Sequence, residues 1–291
     1  MCLSQFRHGS RDRTCQLGPD AFRRATWTPE GPGVLDVRRP FSPDPEPFGH
    51  GPGGEWLVRM WPRYRGDHDI APPVVSRHRA VQEAQRRWGA LRLGASGSPY
   101  HELIPSILGQ RITAKEAYAQ WYRLVDRHGE RAPDPLGVLM LPPRPDRLAT
   151  VAYHELHPLG IEKKRADTLR ALGSHARWLL EDWYRADDVD RPAATRTEAL
   201  RRIPGVGVWT AAVAGGIAFG DPDALQIGDF HVKNTVAWAL EGSPRGSDDE
   251  MVATLSCYPG QRHRVVRWLE LDGWRAPLRG PRRRIVSIGR L

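Results

Sequence analysis

Apolar residues recur at helical spacing along most of the chain. Leu103, Ile104, Ile107 and Leu108 make one such face, and Ala117, Tyr118, Trp121, Leu124 and Val125 make a second. Thr113 followed by Glu116 is a capping-box pattern, so the second helix is expected to start at Thr113. Gly109, Gln110, Arg111 and Ile112 then form an exposed loop between the helices, with Gln110 and Arg111 pointing outward. Further helices are predicted from Leu169, Leu172, Ala176, Leu179 and Trp183, and from Val232, Val236 and Leu240. Two more follow from Ser247, capping through Glu250, and over residues 265–271.

Ahead of Arg77 the pattern changes. Residues 29–54 are punctuated by Pro32, Pro40, Pro43, Pro45, Pro47, Pro52 and many glycines, which cannot sustain a helix and read as turns around short strands. Residues 34–37 and 56–60 are the strand candidates. The expected organisation is therefore a disordered segment over 1–24, a small Pro/Gly-rich β-containing domain over 25–76, a helical domain over 77–275 and a basic tail over 276–291. The fold class is mainly α with a small N-terminal β-rich appendage.

Length and composition change the picture modestly. A chain of 291 residues, 40% hydrophobic, can bury a sizeable core. The 43 Lys and Arg against 34 Asp and Glu give a net charge of +9 and a pI near 9.9. That balance favours a polyanionic partner. An Arg- and Pro-rich genome would bias composition the same way, so charge alone does not decide. Only Cys2, Cys15 and Cys257 are present, too few for a four-Cys zinc or iron–sulfur site. The first 25 residues lack the continuous apolar region of a signal peptide, and no window approaches a membrane span, so a cytoplasmic protein, nucleoid-associated if bacterial, is expected. Arg275, Arg279, Arg282, Arg283, Arg284 and Arg290 give the C-terminal stretch a basic character that suits either a solvated tail or a phosphate contact.

The chemistry is carried further along. Thr195 and Glu198 stand in capping-box register ahead of Ile203-Pro204-Gly205-Val206-Gly207, and an apolar helix is predicted over 208–219. Two glycines in the turn permit positive φ angles and let the backbone N–H groups of the second helix approach a phosphate, a contact that positions a protein without reading base sequence. Any αα-hairpin may use such a turn. Downstream, Gly228-Asp229-Phe230-His231 leads into the next helix, with Asp229 at its start, where an Asp can serve simply as a helix cap.

The run Leu200 to Ala211, the Gly228-Asp229-Phe230-His231 element twenty residues beyond Trp209 and the segment Ile107-Leu108-Gly109-Gln110 together resemble the helix-hairpin-helix DNA glycosylase superfamily. The resemblance spans roughly residues 95–275 and is nearest to the bacterial 3-methyladenine DNA glycosylase II branch, whose hairpin likewise ends in Gly-x-Trp-Thr-Ala. It implies two helical subdomains with a cleft between them, entered by a nucleotide rotated out of the duplex. Asp229 would stabilise the oxocarbenium-like sugar while the N-glycosidic bond breaks, and Trp209 would offer an aromatic face to the base. Gln110 and Arg111 would fill the gap left in the duplex. Gly205, Val206, Gly207, Thr210 and His231 would contact the DNA. The carbonyls of Arg201, Ile203 and Val206 would correspond to those that can hold a sodium or potassium ion, and no iron–sulfur cluster or other cofactor is implied.

The resemblance further implies a monomeric, monofunctional enzyme acting on double-stranded DNA with a damaged base, most simply an alkylated purine, because the lyase branches carry a lysine where Trp209 stands. Residues 25–76 would correspond to the small β-rich domain that precedes the helical core in this branch. Two departures bear on the substrate. Val213 replaces an aromatic one turn beyond the Trp, and the late aromatic-Arg element reads Tyr258-Pro259-Gly260-Gln261-Arg262. The competing readings are a bifunctional oxidised-base glycosylase/lyase and a non-catalytic helix-hairpin-helix DNA-binding protein.

Overall fold

The computed structural model describes residues 2–182 and 191–277. A 3-10 helix, Cys2–Phe6, leads into strands β1 (Cys15–Leu17), β2 (Ala21–Thr28), β3 (Gly31–Arg38) and β4 (Glu46–His50), which pair antiparallel in sequence order. Phe22 stands opposite Val37 and Arg24 opposite Leu35. Helix α1 (Gly54–Arg65) covers this sheet with Leu57, Trp61 and Tyr64, packed on Phe22, Leu35 and Val37.

Two expectations for this region are corrected. Residues 56–60 are helical, because Trp56, Leu57, Trp61 and Tyr64 bury one helical face rather than alternate residues. Residues 2–24 are built into the fold rather than leading into it as a disordered segment. Leu3 and Phe6 are core residues, and Asp12 accepts hydrogen bonds from the His8 amide (2.8 Å) and from Trp121 Nε1 (3.1 Å) in the helical body. The predicted strand at 34–37 lies within β3.

The helical body comprises α2 (Arg79–Trp88), α3 (Pro99–Leu108), α4 (Ala114–His128), α5 (Pro145–Thr150), α6 (Tyr153–Leu156), α7 (Lys163–Ser174), α8 (Ala193–Ala199), α9 (Val208–Ala218), α10 (Val232–Glu241), α11 (Asp248–Leu255) and α12 (Arg262–Leu271). A short ladder of β5 (Glu130–Arg131) and β6 (Met140–Leu141) follows α4. Thr113 caps α4 by accepting from the Glu116 amide, and Ser247 and Glu250 form a reciprocal capping box on α11. Thr195 does not cap α8. The helix starts two residues earlier, and Glu198 pairs with Arg201 instead. After α7 the chain continues through a π-helical turn, Trp178–Asp182, and the predicted helix position Trp183 lies outside the described residues, as does the basic tail from residue 278 onward.

The body has two cores. One gathers α3, α4, α7 and α9 around Leu103, Ile107, Trp121, Leu169 and Ala214. The other gathers α2 with α10, α11 and α12 around Val81, Val236, Leu255 and Trp268. Helix α2 precedes the first core in sequence yet packs in the second, so the chain crosses between the two subdomains twice. Among the described residues no helix is long and apolar enough to cross a membrane.

Candidate active site and nucleic-acid interface

The hairpin turn is held from behind. Val206 donates its amide to the Ile203 carbonyl at 3.0 Å, and Gly205 has φ +87°, a left-handed conformation that an L side chain resists. A Cβ at Gly205 would also lie 2.1 Å from Thr168 Oγ1 on α7. Gly207 differs from the expectation of two positive φ angles. Its φ is −90° and ψ −178°, ordinary extended backbone, and nothing lies within 4 Å of a Cβ built there. Its use is the space it leaves: α9 begins immediately after it with no side-chain cap, so the first amides of the helix face outward from an exposed turn.

Facing the hairpin is the end of α3. Gln110 does not project freely: its side-chain amide donates to the Gly205 carbonyl (3.1 Å) and to Thr210 Oγ1 (2.9 Å). Arg111 is exposed, as expected, with φ +60°. The carbonyl of Leu108, two residues before Gln110, accepts from Nη1 of the buried Arg165 at 2.8 Å, and the same nitrogen reaches Gln120 Oε1 at 2.7 Å. Burial pulls the Arg165 guanidinium below its usual range, opposed by Glu162 and Glu116.

Asp229 stands half-buried between the two cores. Its Oδ1 accepts the backbone amides of His231 (2.7 Å) and Val232 (3.0 Å), which fastens it across the N-terminus of α10. Its Oδ2 accepts Trp209 Nε1 at 2.9 Å, a bond between a hairpin residue and the second subdomain. Gly228, at φ +93°, delivers the chain into this loop and donates its amide to Asp248 Oδ1 at 2.9 Å. The other oxygen of Asp248 takes the Lys233 ammonium at 3.0 Å. Burial pushes the Asp248 carboxyl up, but the Gly228 amide and the Lys233 charge outweigh it and hold it below the usual carboxylate range. His231 contributes its backbone to this cluster. Its ring is exposed and packs edge-on against Phe230, 62% exposed, at 5.1 Å between centroids.

The structure thus joins the sequence-predicted residues into two groups, Trp209 with Asp229 and Gln110 with Gly205 and Thr210, while the His231 ring packs on Phe230. It adds Asp248, Arg165 and Thr168, which sequence reading left unassigned, and pairs Lys233, expected to contact phosphate, with Asp248. Asp248 carried a visible signal only as the residue after the Ser247 cap, and the partners of Arg165 are set by the fold. A cavity of about 300 Å³ lined by Glu83, Arg87, Trp238, Asp272 and Trp274 lies toward the opposite end of α10 and contains neither Asp229 nor Trp209.

No protein-family model matches the sequence, and no curated protein matches it. Solved structures do. The 3-methyladenine DNA-glycosylase from Archaeoglobus fulgidus superposes with a TM-score of 0.69 at 16% identity, covering 92% of each chain. The 8-oxoguanine glycosylase/lyase of Clostridium acetobutylicum gives 0.63 at 12% identity over 90% of this chain and 89% of that one. The 3-methyladenine DNA glycosylase of Schizosaccharomyces pombe, in complex with abasic DNA, gives 0.52 at 16% identity over 67% and 92%. The chain therefore has the fold of the helix-hairpin-helix DNA glycosylases.

Proposed function

We propose that this chain is a monofunctional DNA glycosylase that removes a damaged base, an alkylated purine in the simplest case, from double-stranded DNA. One observation carries the reading: a half-buried carboxylate, Asp229, is held by three N–H donors at the junction of the two subdomains, beside an exposed hairpin turn. A phosphate of the duplex binds over the outward amides at the start of α9, with Gly205, Val206, Gly207 and Thr210 around it and His231 on the other side of the site. This anchors the backbone so that one nucleotide rotates toward Asp229, at a cost of a few kcal/mol in unstacking. Arg111, next to the Gln110 that is bonded into the hairpin wall, occupies the vacated space. As the N-glycosidic bond lengthens, the Asp229 charge stabilises the cationic sugar and orients the water that adds at the anomeric carbon. The carbonyls of Arg201, Ile203 and Val206 are hard donors of the kind sodium or potassium takes, and Ile203, whose carbonyl accepts one amide, keeps a second lone pair. Such an ion would add positive charge near the phosphate.

Two features support hydrolysis over lyase chemistry. Trp209 offers no amine at the hairpin position, and the nearest lysine in sequence, Lys233, is engaged by Asp248. Lys163 is similarly paired with Asp167 at 2.6 Å.

The test is a set of duplexes, each with one defined lesion, scored for free-base release, strand integrity and borohydride trapping. Wild-type chain is expected to release an alkylated purine and leave the strand unbroken with no trapped adduct. Asp229→Asn is expected to slow excision about 10²- to 10³-fold while binding DNA normally. Full activity of Asp229→Asn would remove the carboxylate from the reaction. A trapped adduct would replace hydrolysis by a lyase step, and binding without any excision would leave a DNA-binding module.

A further inference from the structure

We propose that Trp209 acts chiefly as a positioning residue, its indole N–H setting the orientation of the Asp229 carboxylate. The inference rests on the glycosylase reading above and gives Trp209 a role other than stacking on the extruded base.

The indole bridges the site from end to end. Nε1, on the five-membered ring, meets Asp229 Oδ2 at 2.9 Å, while the far edge of the six-membered ring lies against Gly109, where a Cβ would stand 3.2 Å from Cη2. Glycine at 109 thus leaves room for the ring to seat. Neighbouring bonds bind the same wall, since Gln110 ties the end of α3 to Gly205 and Thr210 of the hairpin that carries Trp209. The ring is therefore fixed at both ends before any substrate arrives.

The acceptor count explains why this matters. An ionised carboxylate has about four lone-pair directions. The amides of His231 and Val232 occupy both on Oδ1, and the indole occupies one on Oδ2. One direction on Oδ2 is left for the sugar or its attacking water. Without the indole the Oδ2 arm keeps only the two bonds to the other oxygen, and the carboxylate can rotate about them. The donor's neutrality is equally important. An ammonium at this place would hold Asp229 as firmly but cancel the charge that the sugar cation needs, whereas an indole N–H orients the carboxylate and leaves its charge in place.

Stacking and positioning part company in Trp209→Phe, which keeps an aromatic face and loses the donor. Single-turnover excision is expected to fall about tenfold or more, as for a lost hydrogen bond to a charged group. Affinity for lesion-containing duplex should stay within about twofold, because the DNA contacts are made elsewhere. On an Asp229→Asn background the same change should cost little further rate, since two residues acting through one group do not add. Replacement of Trp209 by benzothienylalanine, which keeps the bicyclic shape without the N–H, covers the case that phenylalanine loosens the packing on Gly109, and it should reproduce the loss. Wild-type rates in both variants, with Asp229→Asn still impaired, would overturn the positioning role alone. Losses that multiply in the double variant would make Trp209 act independently of Asp229 and would likewise overturn it. An unimpaired Asp229→Asn would instead bring down the reading of the site on which this inference stands.

Discussion

The two glycines of the hairpin turn have opposite jobs at the residue scale. Gly205 is required by its own backbone, at φ +87°, and by Thr168 behind it, so Gly205→Ala combines a strained conformation with a collision. The expected cost is roughly 2 kcal/mol or more, since left-handed backbone alone costs a side chain about 1 to 2 kcal/mol. Gly207→Ala meets open space with an extended backbone, and its stability should stay within about 0.5 kcal/mol of wild type. Urea unfolding of the pair checks the contrast, and equal losses would mean the turn is not braced by Thr168. The sequence motif marked both positions alike, because a Gly-x-Gly spacing carries no record of φ. Asp229 was singled out by the resemblance to the glycosylase family, since the local pattern by itself marks only an Asp capping a helix. Neither could mark Arg165, whose target is the backbone carbonyl of Leu108 on another helix, or the bond that makes Gln110 part of the hairpin wall rather than an outward-pointing side chain.

The loop ahead of α10, which carries Asp229, is braced by α11. The Ser247 cap was legible because capping is a four-residue pattern, and it sets the first turn of α11. The following residue, Asp248, then reaches back to the Gly228 amide and to Lys233, so that α11 braces the loop carrying Asp229. The ion pair to Lys233 is partly exposed, and such pairs contribute little, about 0 to 1 kcal/mol. The amide acceptor is therefore the part expected to matter. Asp248→Asn keeps an acceptor for Gly228 and should retain most of the single-turnover excision rate. Asp248→Ala removes it and should lose several-fold. Equal rates in both would show that Asp248 serves only the fold of α11. Elements whose burial differs from their local pattern were the ones misread. Residues 56–60 look like a short β-rich run until Trp61 and Tyr64 extend their buried face by a further turn, whereas the place of α2 in the second core was never legible, since it depends on contacts with α10 and α12.

The whole molecule is tied together by buried polar groups that constrain how it responds to acid. Between the sheet and the helical body, Arg24 on β2 pairs with Glu102 on α3, with His8 3.5 Å from the second Glu102 oxygen and His101 bonded to Thr26. Burial alone would raise the Glu102 carboxyl, but Arg24 and His8 overcome it and lower it from 4.5 to about 2. In the second subdomain His263 on α12 is held neutral. Burial first, then Arg267 and Arg264 with Asp223 opposing, brings it from 6.5 to about 3, and burial also holds His101 well below its ordinary value. All three groups bind protons more weakly folded than unfolded, so their contribution is complete above the unfolded value and is lost as pH falls toward the folded one. Stability should therefore be level between about pH 6.5 and 9, above which the unfolded chain can release the Cys15 and Tyr100 protons that burial retains in the fold, decline between 6.5 and 3 as the unfolded chain takes up protons at His263 and His101, and decline further below 4.5 through Glu102. His263→Gln keeps a polar group of similar size against Gly216 and removes one titration, so the drop in unfolding free energy between pH 6.5 and 4.5 should become shallower by about 1 to 3 kcal/mol. Denaturant titrations at several pH values measure it. A variant whose loss over that window matched the wild type would show that His263 is not a source of the acid sensitivity, leaving His101, with His78 and His128 whose values burial also lowers, to carry the loss over that window.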